Sequence, residues 1–215
     1  MNDKELNALI SLLEDPDKEV FDFVKTRLVE LGIEVVPELE NAWESNFDSL
    51  AQDRAEKIIH EIHFKDTVYS LKNWLNISHK NLLDAWFIIS KYQYPDIDES
   101  FYRKKIYTLV QQINFEVELA YTELEKISAF NKVFFQENGF RGNTRNFHSP
   151  DNSFINSVID NHKGNPLSLS MLYIIIAKQI GLAVCGINMP KHFILGFEDE
   201  NEINGDPIKF YINPF

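Results

Sequence analysis

Gly164-Asn165-Pro166-Leu167-Ser168-Leu169-Ser170, running on to Gly181, is the stretch that decides the fold. Asn165 has the side chain of a helix N-cap. Pro166 suits the first helical position, where a backbone N–H has no intrahelical partner. Leu169, Leu172, Tyr173, Ile176 and Ile180 make nearly every face of the helix apolar, so it is expected to be buried until Gly181 stops it. Beyond Gly181 the pattern alternates. Residues 183–188, 192–197 and 208–212 read as strands, with residues 198–206 an acidic turn. The expectation is an α+β core in which this helix packs on a small antiparallel sheet holding Cys185, His192 and Tyr211.

Upstream, residues 3 to about 138 read as helices. Leu6, Leu9, Ile10 and Leu13 form one apolar stripe; Phe21, Val24, Leu28 and Leu31 form the next, which Gly32 is placed to cap. Pro37 opens a short helix through Trp43. Another is expected from about Asp48 to His63, and a further one closes with Leu71 and Trp74. Leu82, Leu83, Trp86, Phe87 and Ile89 mark a very apolar helix stopping before Tyr94-Pro95. Ile106, Leu109, Val110 and Ile113 mark the next, then one through Val117, Tyr121 and Leu124, then an apolar segment from Ile127 to Phe135. Short helices jointed by proline or glycine resemble HEAT-type repeats without an exact period. The turn-rich residues 138–143 suggest a division into a helical region, 1–138, packed on a core, 139–215. Within that core, residues 152–161 read as a helix.

The 215 residues carry a net charge of -12, which repels phosphate backbones and acidic bilayers, so neither nucleic acid nor membrane is an expected partner. No apolar run reaches transmembrane length, and Met1-Asn2-Asp3-Lys4-Glu5 lacks the features of a signal peptide. A single cysteine, Cys185, excludes an internal disulfide and a cysteine-rich metal site; a cytoplasmic location is expected. The 17 Phe and 44% apolar content are ample for a core.

Few residues outside the deciding stretch suggest chemistry. Ser168 and Ser170 are the weak nucleophile candidates, with backbone bonding or close packing as their ordinary roles. Cys185, on a strand, reads as a small core residue. His60 and His63, three apart on a helix, have no third ligand and read as a solvated helix end. Asp96, Asp98 and Glu99 read as a loop and helix-start charge rather than a calcium site. No cofactor and no metal are expected.

Lys91-Tyr92-Gln93-Tyr94-Pro95, Gly139-Phe140, Asn152-Ser153, the run from Gly164 to Ser170, Pro190-Lys191-His192-Phe193 and the final Tyr211-Ile212-Asn213-Pro214-Phe215 together resemble the transglutaminase-like (papain-like) superfamily. The resemblance is to its SirB-type branch, in which a helical N-terminal region precedes a core lacking the superfamily's cysteine. It implies that the nucleophile position, counted back from Gly181-Leu182, falls on Pro166. It also implies that His192 fills the histidine position and Asn213 the position commonly held by aspartate. It further implies more chain after Phe215, as in a truncated form. A proline has neither nucleophile nor N–H, and asparagine carries no charge to support an imidazolium. The expected function is therefore a non-catalytic binding or scaffolding protein whose partner is a protein or peptide. One alternative is an acyl-transfer enzyme (hydrolase, protease or transglutaminase) using Ser168 or Ser170 with His192. Another is a helical-repeat protein whose N-terminal part binds a peptide while the core stabilises it.

Overall fold

A helix that is apolar on nearly every side has to be wrapped, and α9 (Pro166–Gln179) is. The computed structural model describes residues 3–45, 48–190, 192–203 and 206–215. One core surrounds α9. It draws on α5 (Leu82–Gln93), α6 (Glu99–Glu118), α7 (Glu123–Asn131) and α8 (Ile155–Asn161). The antiparallel strands β3 (Val184–Met189), β4 (His192–Ile203) and β5 (Asp206–Ile212) complete it, in the order β3-β4-β5. Two short strands, β1 (Arg141–Gly142) and β2 (Lys163–Gly164), pair in parallel just before α9. The result is the expected α+β arrangement, with the helix against a sheet that contains Cys185, His192 and Tyr211.

Aromatic packing sets the position of α9. Tyr173, fully buried, stacks on Phe130 with ring centres 3.9 Å apart and meets Phe134 nearly edge-on at 5.5 Å. Phe134 stacks in turn on Phe140, and Phe140 on His162, each at 4.6 Å. Aromatic pairs at these separations add to what area burial alone provides. The buried Tyr173 hydroxyl donates to Asn131 Oδ1 at 3.0 Å, so its polar tip is satisfied, and burial pushes its phenol pKa well up.

Polar bonds place the start of α8. Its N-cap, Phe154, has no side chain able to accept, leaving the Ile155 N–H an orphan. Ser90, buried on α5, supplies the acceptor at 3.0 Å, and Trp86 Nε1 donates to the Ser153 carbonyl at 2.8 Å. At the other end of α8, Asp160 accepts from Lys105 Nζ at 2.6 Å and from Tyr102 at 2.7 Å.

The chain divides into two units after Lys80, residues 1–80 and 81–215. The division expected near residue 138 falls inside the second unit, because Phe130 and Phe134 lie on one side of it and Phe140 and Tyr173 on the other, in one aromatic core. The first unit holds α1 (Asp3–Ser11), α2 (Lys18–Leu31), α3 (Val36–Ser45) and α4 (Ser49–Leu75) around Val24, Leu28, Leu39 and Ile58. Gly32 caps α2 at φ 76°, as expected. Buried Arg54 donates to the Leu13 carbonyl at 2.8 Å and lies over the Phe21 ring at 4.5 Å, fixing the corner between α1 and α2.

Several boundaries differ from expectation. The helix from Asp48 does not stop at His63; α4 is one 27-residue helix, since nothing between residues 63 and 71 breaks it. Val117, Tyr121 and Leu124 do not share a helix. Glu118 ends α6, Tyr121 is 96% exposed, and a reciprocal Thr122–Glu125 capping box restarts the chain as α7. The acidic residues 198–203 continue β4 instead of turning, and residues 204–205 lie outside the described residues.

Asp160 yields a pH-dependent prediction. Burial pushes its carboxyl pKa up, but hydrogen bonds from Lys105 and Tyr102 outweigh this and hold it below the ordinary value. A depressed folded-state pKa stabilises the fold fully above the unfolded value of about 3.9, and the contribution is lost as pH falls through the folded one. Asp160→Asn should therefore be less stable than wild type at pH 7, with the gap closing below about pH 4 in urea melts followed by circular dichroism.

Candidate functional site

The N-terminus of α9 is closed by its own residues. Ser168 N–H donates to Asn165 Oδ1 at 2.8 Å, while Ser168 Oγ accepts from Asn165 N–H at 3.0 Å. This reciprocal box satisfies two donors that the helix start leaves orphaned. Ser168 Oγ also lies 3.2 Å from the Asn165 carbonyl, and Asn165 Nδ2 donates to Ser153 Oγ at 3.0 Å. One turn on, Ser170 Oγ donates to the Pro166 carbonyl at 2.7 Å. Both serines are buried, at 2% and 0% exposure, so neither hydroxyl is open to a substrate. Pro166 occupies the first helical position and presents a ring carbon surface there.

The sheet has two different faces. A Cβ built on Gly186 would meet Phe193 and, at 3.6 Å, Ile174 of α9, so Phe193 shares the face that packs on the helix. Leu195, Phe197 and Ile212 are buried on that face. Side chains alternate along a strand, so His192, Ile194 and Gly196 belong to the opposite face. A Cβ on Gly196 would meet Ile187 and, at 3.7 Å, Cys185 Sγ, which places those two there as well. Met189, paired with His192 in the register, and Tyr211, paired with Gly196, complete an open face on which Tyr211 is 69% exposed.

His192 is accordingly exposed and stands on the side of the sheet away from α9. Among the described residues its imidazole has no hydrogen-bond partner; Lys191 before it lies outside them. Asn213 follows β5 and its Oδ1 accepts from the Phe215 N–H at 3.2 Å, so its side chain holds the local turn rather than an imidazole. That turn seats the Phe215 ring over Gly142, where an added Cβ would come within 2.6 Å of it, and edge-on to Phe147 at 5.6 Å. Of the three positions that the resemblance implies, Pro166 thus opens the helix, His192 stands on the sheet face away from α9, and Asn213 lies in the turn after β5.

The other candidates have ordinary surroundings. Cys185 is exposed on the open face and not a core residue, because its strand position points away from α9. His60 faces Glu56 at 3.8 Å, and Asp98 caps α6 by accepting from the Phe101 N–H at 3.0 Å. Among the described residues no group of three or more His, Cys, Asp or Glu side chains is placed to hold a metal, and no helix is long and apolar enough to cross a membrane. A polar cleft lined by Asn143, Asn146 and Asn161 was missed in the sequence. Its signal was the density of asparagines between residues 143 and 161, which reads equally well as turn chemistry.

A buried helix whose capped start leads into an antiparallel sheet defines the class, and comparison with known proteins places the chain within it. The model of the transglutaminase-like superfamily matches residues 100–215, and the chain belongs to that superfamily, in its SirB-type branch. A UPF0162 protein of Xylella fastidiosa is 32% identical over 114 residues, 53% of this chain and 41% of that protein. One of Vibrio cholerae is 34% identical over 93 residues, covering 43% and 33%. The human F-box only protein 21 is 32% identical over 80 residues, covering 37% of this chain and 12% of its own length. The chain thus spans well under half the length of these relatives. No solved structure gives a significant match.

The crowding at the helix start is testable. A Cβ on Gly164 would fall 2.5 Å from Ser168 Oγ and 3.1 Å from Leu169 Cγ. Gly164→Ala should cost on the order of 1–3 kcal/mol, the range for overpacking. Adding Ser168→Ala should recover part of that loss, although alone it removes the Oγ acceptor of the Asn165 N–H. Thermal melts of the two single variants and the double variant, read as a mutant cycle, measure the coupling.

Proposed function

We propose that this chain is a non-catalytic binding or scaffolding protein built on a degenerate transglutaminase-like core, with a protein or peptide as its partner. The observation that carries this is the position of His192, on the sheet face away from the α9 N-terminus. Acyl transfer needs a nucleophile within hydrogen-bond reach of its base. Here Pro166 offers none, and Ser168 and Ser170 are bonded to backbone groups at their own helix start, with neither hydroxyl bonded to an imidazole among the described residues. Losing the nucleophile removes the covalent route, and triad members act as a unit, so a lone histidine retains little of their effect. The net charge of -12 argues against nucleic-acid or acidic-membrane partners. One free cysteine fits a reducing cytoplasm.

Serine- and cysteine-reactive acyl probes, with an acyl substrate panel, test this on the purified chain. Cys185 is exposed, so the labelling background is set with Cys185→Ser. No turnover is expected, and no labelling beyond that background. His192→Ala should change neither signal and should shift stability by no more than about 0.5 kcal/mol, as for an exposed side chain. Pro166→Cys should gain no His192-dependent labelling, with or without Asn213→Asp. Hydrolysis that stops on Ser170→Ala or His192→Ala would instead establish the serine acyl-transfer enzyme.

A further inference from the structure

The loop between β1 and α8 encloses a polar cleft of about 200 Å³, none of whose lining residues belongs to β3–β5. Its floor is a preformed amide network. Asn152, 4% exposed, donates through Nδ2 to the carbonyls of Asn146 and Phe147 and accepts through Oδ1 from Asn143 Nδ2 at 2.8 Å. Asn143 Oδ1 accepts in turn from the Asn146 N–H at 3.3 Å. A floor fixed in this way lowers the ordering cost of binding.

Two charges of opposite sign line this cleft, Asp151 and Lys163. They form no ion pair with each other, and among the described residues neither has one elsewhere. Neighbouring Lys105 and Asp160, by contrast, are paired at 2.6 Å. Asp151 receives two neutral hydroxyls, Tyr94 at 2.9 Å and Ser149 at 3.2 Å, which orient the carboxylate without neutralising it. The Asn146 side-chain amide, which also lines the cleft, has no hydrogen-bond partner among the described residues. Asn161 spends its Nδ2 on the Ser157 carbonyl, leaving Oδ1 as an acceptor.

We infer that this cleft binds a small free amino acid, its ammonium toward Asp151 and its carboxylate toward Lys163. A ligand bearing both charges on one carbon offers a counter-charge to each of the two lining groups, whereas a simple anion or cation leaves one of them uncompensated. The volume allows it: at roughly 30 Å³ for each water, the space equals about six or seven waters, room for a small amino acid together with a few waters. Both charged groups are partly solvated, so each ion pair contributes modestly and affinity on the order of millimolar is expected.

The test is a ¹⁵N-resolved NMR titration of the full chain with L-serine, L-alanine, N-acetyl-L-serine and L-serinamide. The free amino acids should give saturable shifts at the Asn146 and Asn161 side-chain amides and at the Lys163 N–H. Blocking either end should weaken binding at least tenfold, as should Lys163→Met and, separately, Asp151→Asn. Lys163→Met leaves the Tyr94–Asp151 bond in place, so it decides the matter if Asp151→Asn disturbs the loop. The proposal fails if no free amino acid gives a saturable shift, if the blocked forms bind equally well, or if Lys163→Met leaves the titration unchanged. None of these outcomes bears on the catalytic silence of His192, which is read from acyl transfer alone.

Discussion

The reciprocal hydrogen bonds between Asn165 and Ser168 are the constraint on which the second unit depends. They stop the α9 start at one residue and, with Gly164 pressed against Ser168 Oγ, leave no room for a different register. Once α9 begins there, its apolar faces fall where α5, α6, α7 and the sheet can cover them, and Tyr173 meets Phe130 and Phe134. A cap contributes only about 1 kcal/mol. Its weight lies in register, because sliding the helix by one residue would turn Tyr173 about 100° out of its aromatic slot.

The same lock bears on chemistry. A helix start that serves an active site keeps its N–H groups and a nucleophile open to substrate. Here Asn165 and Ser168 satisfy one another, Ser170 returns to the Pro166 carbonyl, and proline contributes no donor. The sheet adds a second separation. Because Phe193, Leu195 and Phe197 are needed on the helix, period-two alternation sends His192 the other way. Packing at one strand position thus fixes the exposure of its neighbour.

Much of this fold was legible because its signals are local. Asn165-Pro166 announces a helix start, Gly32 and Gly181 announce stops, and both glycines adopt positive φ. The side on which His192 falls was not legible, since a six-residue alternation names two faces without saying which one meets the helix. Cys185 was misjudged for the same reason. The division after Lys80 was hidden because Phe130 and Phe134 read as one more helical stripe, when their partners Phe140 and Tyr173 come later in the chain. The strand continuing through residues 198–203 was masked by acidic residues, which are rare in strands and common in turns.

The separation of His192 from the start of α9 is tested most directly by nuclear Overhauser contacts from the His192 ring protons in the isotopically labelled protein. Cross-peaks to open-face neighbours, such as Met189 and Ile194, with none to Pro166, Ser168 or Ser170, are the predicted result. A cross-peak from the His192 ring to Pro166 or Ser170 would contradict it, and would show that the helix start and the imidazole share one site.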